Sequence, residues 1–437
     1  NTFTNSEWGT GKESPSQFNP QKVDTDQWVQ AVKASGSKGI IFTAKHHDGF
    51  CLFPSDYTTH DIASSPYQDG QGDIVQELAE SCRKYEMEFG VYLSPWDMHE
   101  PTYGTDAYND YFVSQLTELC TRYGELFAIW LDGAKGDGAP DFTYDFDRYY
   151  EVIRTYQPNA VIAVSGPDVR WIGNEAGNAR VSEWSVVTAN DEALDPALGT
   201  LPHISYDAPD MGGRDIVSQY KKPSSRYPAE ADVPIRPGWF WHSNENVKVK
   251  TVSTLMDIYY KTVGGNASLL LNVSPNQNGV IPLIDTLTLK AFGDRIRREF
   301  SNSAVQSFSV GSNEGMRSIE ALNAMLAEDT ASYSFGDDEY ILDCKAGWDA
   351  AGQQRCAAGG SAFQRAGRGF RCVSPHRQGL CPRRGGHSDR QPQNSSPSAD
   401  AAQNRLRAHR DPPIPWQSGA AQRRSFRPLN TGSCLIH

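Results

Sequence analysis

The sequence predicts an α/β fold: a (β/α)8-like (TIM) barrel that lacks its first strand, followed by the beginning of a C-terminal β-sandwich. Three observations predict it. Short runs that are apolar on both faces alternate with amphipathic helical stretches over roughly the first 300 of 437 residues, the signature of a parallel sheet covered by helices. Polar and aromatic residues gather just after those runs, where barrels of this kind build their sites. No G-x-G-x-x-G or Walker loop follows an early strand, as a doubly wound sheet would usually offer.

Taken in order, a helix over 25–35 carries Trp28, Val29, Ala31 and Val32 on one face, with Asp24 as its cap. The strand Gly39-Ile-Ile-Phe-Thr-Ala-Lys45 follows. A helix over 73–87 aligns Ile74, Leu78 and Cys82 and leads into a strand over 89–94. A helix over 107–123 precedes a strand over 126–131, and a helix over 146–156 precedes a strand over 160–165. After a long irregular stretch come a strand at Trp239-Phe-Trp241, a helix over 251–263, a strand over 268–273 and a helix over 283–300. Six loops follow these strands in phase: His46 to Phe50, Pro95 to Asp97, Asp132-Gly133, Gly166 to Gly177, Trp241-His242 and Asn272 to Asn276.

The domain organisation expected is a catalytic barrel over 1–300, a linker and the start of a β-sandwich over 301–343, and a tail over 344–437. The net charge of −12 is divided unevenly. From Cys344 onward 15 basic residues face 4 acidic ones, whereas the residues before carry 26 basic and 49 acidic, a net of −23. So acidic a body repels nucleic acid and anionic membranes, and no run of 18 apolar residues suggests a membrane helix. The tail is rich in Arg, Gly, Ser, Pro and Gln and has lost hydrophobic periodicity, so it buries too little to offset its chain entropy. A basic RNA- or membrane-binding arm and an out-of-frame or disordered segment are the two readings. Arginine with almost no lysine favours the second. Cys51, Cys82 and Cys120 read as small buried hydrophobes.

Hydrolysis of a neutral glycoside needs one carboxylate at the anomeric carbon and one carboxylic acid at the leaving oxygen. Asp132 closes the apolar run Phe127-Ala-Ile-Trp-Leu131 and is followed by Gly133; it reads either as that carboxylate or as the cap of the next turn. Glu175, flanked by Trp171, and Glu183 both suit the acid. His46 and His47 suit sugar hydrogen bonds or zinc. Adjacent residues on a strand point to opposite sides, which argues against one shared ion, and no H-x-H or H-E-x-x-H completes a metal site. Trp8, Trp96, Trp130, Trp171 and Trp241 suit stacking on sugar faces.

At these residues the chain resembles glycoside hydrolase family 29, the retaining α-L-fucosidases. The resemblance rests on Asn1-Thr-Phe-Thr-Asn-Ser-Glu-Trp-Gly9, Phe18-Asn-Pro20, Lys45-His-His-Asp-Gly-Phe50, Gly90-Val-Tyr-Leu-Ser-Pro-Trp-Asp97, Trp130-Leu-Asp-Gly133, Trp171 to Gly177, Ile235-Arg-Pro-Gly-Trp-Phe240 and Leu269-Leu-Leu-Asn-Val273. It implies a nucleophilic Asp132, the acid/base at Glu175 rather than Glu183, and a fucose pocket lined by Glu7, Trp8, His46, His47, Trp96, Asp97, Trp130, Arg170 and Trp171. It implies neither metal nor other cofactor, a fucosylated oligosaccharide or glycoconjugate as partner, and secretion or periplasmic export. The Ser-Pro-Trp-Asp and Gly-Asn-Glu-Ala-Gly forms resemble the subgroup acting on α-1,3/4-linked fucose. The family's first barrel strand, with a sugar-binding His, is expected just before Asn1, which would leave an open sheet edge here. A fucose-binding protein without catalysis and a metal hydrolase using His46, His47 and Asp132 are the other functional classes.

Overall fold

The computed structural model describes residues 4–136, 138–140, 142–179 and 228–301 in full. It describes the backbone alone of 186–188, 224–226, 305–312, 340–346, 364–365, 368–369, 371–372 and 433–436. All of these belong to one unit, Asn1–Val373 with Leu429–His437.

The chain enters α1 (Thr25–Ser35) through Asp24, whose carboxylate accepts the Gln27 N–H at 2.8 Å, one of the donors a helix start leaves unpaired. Gly36, at φ 94°, ends the helix. Then follow β1 (Gly39–Lys45), α2 (Ile74–Lys84, capped by Asp73), β2 (Glu88–Leu93), α3 (Asp106–Arg122), β3 (Ala128–Leu131), α4 (Phe146–Tyr156, capped by Asp145), β4 (Val161–Val164) and the short β5 (Arg170–Trp171). A separate antiparallel pair is formed by β6 (Val186–Thr188) and β7 (Ser224–Arg226). The main sheet resumes with β8 (Ala229–Pro234), followed by α5 (Val252–Thr262), β9 (Ser268–Val273) and α6 (Leu283–Glu299). Beyond it lie β10 (Val305–Ser312), β11 (Tyr340–Ala346), β12 (Gln364–Arg365), β13 (Arg368–Gly369), β14 (Arg371–Cys372) and β15 (Ser433–Ile436).

Eight strands form one parallel sheet in the order β4-β3-β2-β1-β15-β9-β8-β5. A parallel bridge between Ala163 of β4 and Val169, the residue before β5, links the two ends of that order. The pleat divides the interior in two. Ile40, Phe42, Val91, Ile129 and Ile162 pack outward with Val29, Val32, Leu78 and Phe112 of the helices. Ile41, Tyr92, Trp130, Ala163 and Leu270 form a second cluster on the opposite face, as the two-residue repeat requires.

Two expectations change. The strand before the last helix pair is Ala229–Pro234, not Trp239–Trp241, which runs as irregular backbone. Carboxylates at 230 and 232 break the apolar pattern that marks a strand, because they point to the sheet's other face and not to the helices. The expected gap beside β1 is also filled. The backbone of β15 lies there, with Gly39 to Phe42 matched to Ser433 to Ile436, and Ser433 to Ile436 matched in turn to Leu270 to Val273. Two facing edges of unpaired N–H and C=O groups are costly when buried, and a parallel insertion satisfies both. The expected β-sandwich falls mainly outside the described residues; what is described is a three-stranded sheet, β10-β11-β14. Apart from the short strands already named, the tail lies outside the described residues as well. Cys51, Cys82 and Cys120 are free and buried, as expected. Among the described residues no helix is long and apolar enough to cross a membrane.

Candidate active site

A cleft of about 1480 Å³, its open mouth included, lies at the carboxyl ends of the parallel strands. Its described lining residues come from seven separate stretches of chain, of which four follow strands. Among the described residues that line it, five are acidic (Glu7, Asp132, Glu175, Asp232 and Glu245), three are His46, His47 and His242, and none is Lys or Arg.

Asp132 follows β3 directly. Its Oδ2 accepts the Tyr92 hydroxyl at 2.6 Å and its Oδ1 accepts the Ala134 N–H at 2.7 Å. His47 Nε2 stands 3.9 Å from Oδ2. The carboxylate is thus fixed from β2, from its own turn and from the loop after β1. Tyr92 and Trp130 are register partners on β2 and β3 and stack at 5.1 Å, 20° between planes, forming a flat aromatic floor two residues before Asp132.

His46 and His47 both line the cleft, with ring centroids 4.0 Å apart. The expectation that they diverge fails because β1 ends at Lys45 and both sit in the following turn, where strand alternation no longer applies. Gly49 makes that turn possible: its φ is +79°, and a Cβ there would strike the Asp97 carboxylate. His47 Nδ1 pairs with the Ser94 hydroxyl at 2.7 Å. Burial pushes its imidazole below the usual range, against the opposing pull of Asp132. Among the described residues no group of three His, Cys, Asp or Glu is arranged to hold a metal ion.

Glu175 stands at the tip of a turn after β5 closed by Asn174, whose Oδ1 accepts N–H bonds from Ala176 and Asn178, both at 3.1 Å. Trp239 Nε1 donates to Glu175 Oε2 at 3.2 Å. The rival Glu183 lies outside the described residues.

The remaining expected residues divide. Glu7, Trp8, Trp130 and Trp171 line the cleft. Glu7 accepts the Trp239 N–H and meets His242 Nε2 at 2.9 Å, tying the N-terminal segment to the stretch after β8. Trp8 sits edge-on to His47 and to Trp96. Trp96 packs behind His47 and is not a lining residue. Asp97 is buried beneath the histidine turn, paired with Lys45 Nζ at 2.9 Å and accepting the N–H groups of His99 and Glu100. Burial alone would raise its carboxyl, but the Lys45 ammonium outweighs that and holds it below the ordinary range. Asp97 therefore supports the histidines from behind. Arg170, fully buried, shares the pleat direction of Ile172, opposite Trp171, and does not line the cleft.

Among the polar and aromatic lining residues, sequence reasoning did not single out Tyr92, Asp232, Trp239 and Glu245, and it reached His242 only as part of the loop Trp241-His242. It also missed Glu230, just beneath the cleft. Trp130 Nε1 donates to Glu230 Oε1 at 2.8 Å and Trp171 Nε1 to Asp232 Oδ1 at 2.6 Å. Burial pushes Glu230 up to about 7, against the Trp130 hydrogen bond, and lifts Asp232 well above the carboxylate range, with the Glu175 charge adding to the effect. The two-residue spacing of Glu230 and Asp232 in an otherwise apolar Ala-Glu-Ala-Asp-Val was the available signal.

The family model for α-L-fucosidase matches residues 3–299. α-L-Fucosidase 1 of Arabidopsis thaliana is 47% identical over 315 residues, covering 72% of this chain and 59% of that protein. A putative α-L-fucosidase 1 of Oryza sativa is 43% identical over 343 residues, 76% and 62% of the two chains. The chain thus spans about three fifths of the curated relatives it matches. Among solved structures, a putative α-L-fucosidase from Bacteroides ovatus superposes with a TM-score of 0.66 at 45% identity, covering 71% of this chain and 55% of that one. A Ruminococcus gnavus family 29 fucosidase solved with fucose gives 0.62 at 32% identity, covering 72% and 66%.

Proposed function

The chain belongs to the α-L-fucosidase family, and on that premise we propose that it is a retaining exo-α-L-fucosidase built on a (β/α)8-like barrel. The observation that carries the reading is the convergence of two carboxyl groups, Asp132 and Glu175, from separate strand ends on one cleft walled by indoles. Asp132 is held as a nucleophile needs to be, with both oxygens oriented by short hydrogen bonds. Glu175 sits at a turn tip beside indoles, in reach of a leaving group that enters from solvent.

In the first step Asp132 attacks the anomeric carbon while Glu175 gives its proton to the departing sugar oxygen, leaving a β-fucosyl ester. In the second, Glu175 takes a proton from water, whose oxygen displaces Asp132 and yields α-L-fucose. His47 and Tyr92 keep the nucleophile in line, and the Tyr92–Trp130 floor presents a flat apolar surface to the sugar ring.

The test follows products by NMR on a 4-nitrophenyl α-L-fucoside. α-L-Fucose appears first; initial release of the β anomer sinks the retaining reading. With azide, Asp132→Ala gives the β-fucosyl azide and Glu175→Ala the α-fucosyl azide, because each lost group leaves a different face open. We extend the proposal to a preference for α-1,3/4-linked fucose, which rests on the resemblance of the loops after β2 and β5. A panel of linkage-defined oligosaccharides tests it, and equal rates on α-1,2, α-1,3, α-1,4 and α-1,6 isomers remove it.

A further inference from the structure

β4 ends on a residue whose backbone bends out of the strand. Along Val161–Val164, Ile162 faces the helices and Ala163 the interior, so the two-residue repeat should turn Val164 back toward the helices. It does not. Val164 has a φ of 69°, a left-handed conformation in which a β-branched residue is an outlier, and it joins the interior cluster beside Ala163. There it lines the cleft, one strand over from the nucleophile candidate: its register partner is Leu131, the residue before Asp132.

The bend is held from three sides. The Val164 N–H donates to the Val169 carbonyl at 2.9 Å and the Ser165 N–H to the Leu131 carbonyl at 3.0 Å, while the Ser165 carbonyl accepts the Tyr150 hydroxyl at 2.9 Å. Strain of this kind persists only where the surroundings over-determine it, and it gathers at ligand clamps. The chemistry of the wall says what is clamped. Five described lining residues have no polar side-chain atom (Gly133, Ala134, Val164, Pro237 and Gly238), and of these Val164 alone is a branched aliphatic. A hydroxyl pressed against it would give up water and gain no partner. L-Fucose is a 6-deoxy sugar: its ring carries hydroxyls and one substituent without oxygen, the C6 methyl. We propose that Val164 is a specificity-determining residue: its isopropyl, carried into the cleft by the left-handed backbone, is a wall against which the C6 methyl packs and which refuses a C6 hydroxyl. The inference rests on the reading of the chain as an α-L-fucosidase.

The experiment compares kcat/KM on three 4-nitrophenyl glycosides of the same ring configuration: the α-L-fucoside, the α-L-galactoside, which adds a C6 hydroxyl, and the β-D-arabinopyranoside, which lacks C6. The wild type should favour the fucoside over each of the others by about 10- to 100-fold. Val164→Ala and Val164→Gly should each cut both preferences by about tenfold. Truncation opens room for the galactoside's hydroxyl and removes the contact that the arabinoside already lacks. Glycine takes the left-handed conformation freely and alanine does not, so a change confined to the Gly variant would trace the effect to the backbone and overturn the inference. Val169→Ala, in the same cluster but outside the described lining, should leave both preferences in place. A wild type indifferent to C6, preferences that survive in both Val164 variants, equal losses on all three glycosides, or the same shift in Val169→Ala also overturns it. Failure of the underlying reading looks different: the wild type would then leave the α-L-fucoside intact.

Discussion

The arc β1–β4 and the arc β5, β8 and β9 support one cleft with opposite chemistry. Along the first, the strands read Gly-Ile-Ile-Phe, Phe-Gly-Val-Tyr-Leu, Ala-Ile-Trp-Leu and Val-Ile-Ala-Val, and the inward layer is Ile41, Tyr92, Trp130 and Ala163. Its buried charge pair Lys45–Asp97 is matched and lies behind the histidine turn. Along the second, β8 turns two carboxyl groups inward, each capped by an indole from another strand. The nucleophile candidate sits on the apolar arc, where neighbours hold its geometry. The acid candidate sits on the acidic arc, in the cleft with the buried Asp232. The double displacement proposed above asks for one carboxyl charged and one not.

Four experiments break or sharpen this contrast, and the largest effect belongs to the nucleophile. Asp132→Ala should lower kcat by roughly 10⁴- to 10⁶-fold with an unchanged unfolding midpoint; a substantial residual rate without added azide would unseat Asp132. Next, Lys45→Met leaves Asp97 buried and unpaired, which costs about 3–5 kcal/mol and disorders the His46–His47 turn; denaturant titration reads it, and a loss below about 1 kcal/mol would mean that the pair is idle. Glu230→Gln probes the acidic arc. Its folded value of about 7 exceeds the ordinary 4.5, so its contribution to stability is complete below the unfolded value and is lost as pH rises through 7. At pH 8 the Gln variant should therefore be the more stable by roughly 3 kcal/mol, with little difference near pH 4; parallel stability curves would refute the burial argument. Smallest is Trp8→Ala at the rim, where 42% exposure predicts a stability change within about 0.5 kcal/mol and a rise in KM for the sugar.

Those arcs also differ in how far they could be read beforehand. The runs that became β1, β2, β3, β4 and β9 announce themselves, because burial on both faces leaves their middles almost wholly apolar. The helices between them show their apolar stripes and their caps, Asp24 and Asp73 among them. Asp132, Glu175, His46 and Trp171 were found from strand ends and a family resemblance, and they do meet in one cleft. On β8, inward carboxyl groups made a core strand look like a surface loop, and hydropathy carries no mark of an indole on another strand ready to cap them. Trp239-Phe-Trp241 misled in the opposite sense: its aromatic run suggests a strand, yet its backbone is spent on Glu7, Asn272 and Ser274. The histidine pair was misjudged because a turn, and not the pleat, sets its direction.

The seam between β1 and β9 bears on how the molecule assembles. β1 meets β2 across some fifty positions of sequence, but it meets β15 across nearly four hundred. Contacts that distant form late, since a long loop must close before they return any energy. Until then β1 and β9 present two bare, apolar edges, the form of intermediate that adds strands from neighbouring molecules. Yield on refolding should therefore fall steeply with protein concentration, and a chaperone that shields nascent edges should matter more to this sheet than to one whose seam is sewn by adjacent segments.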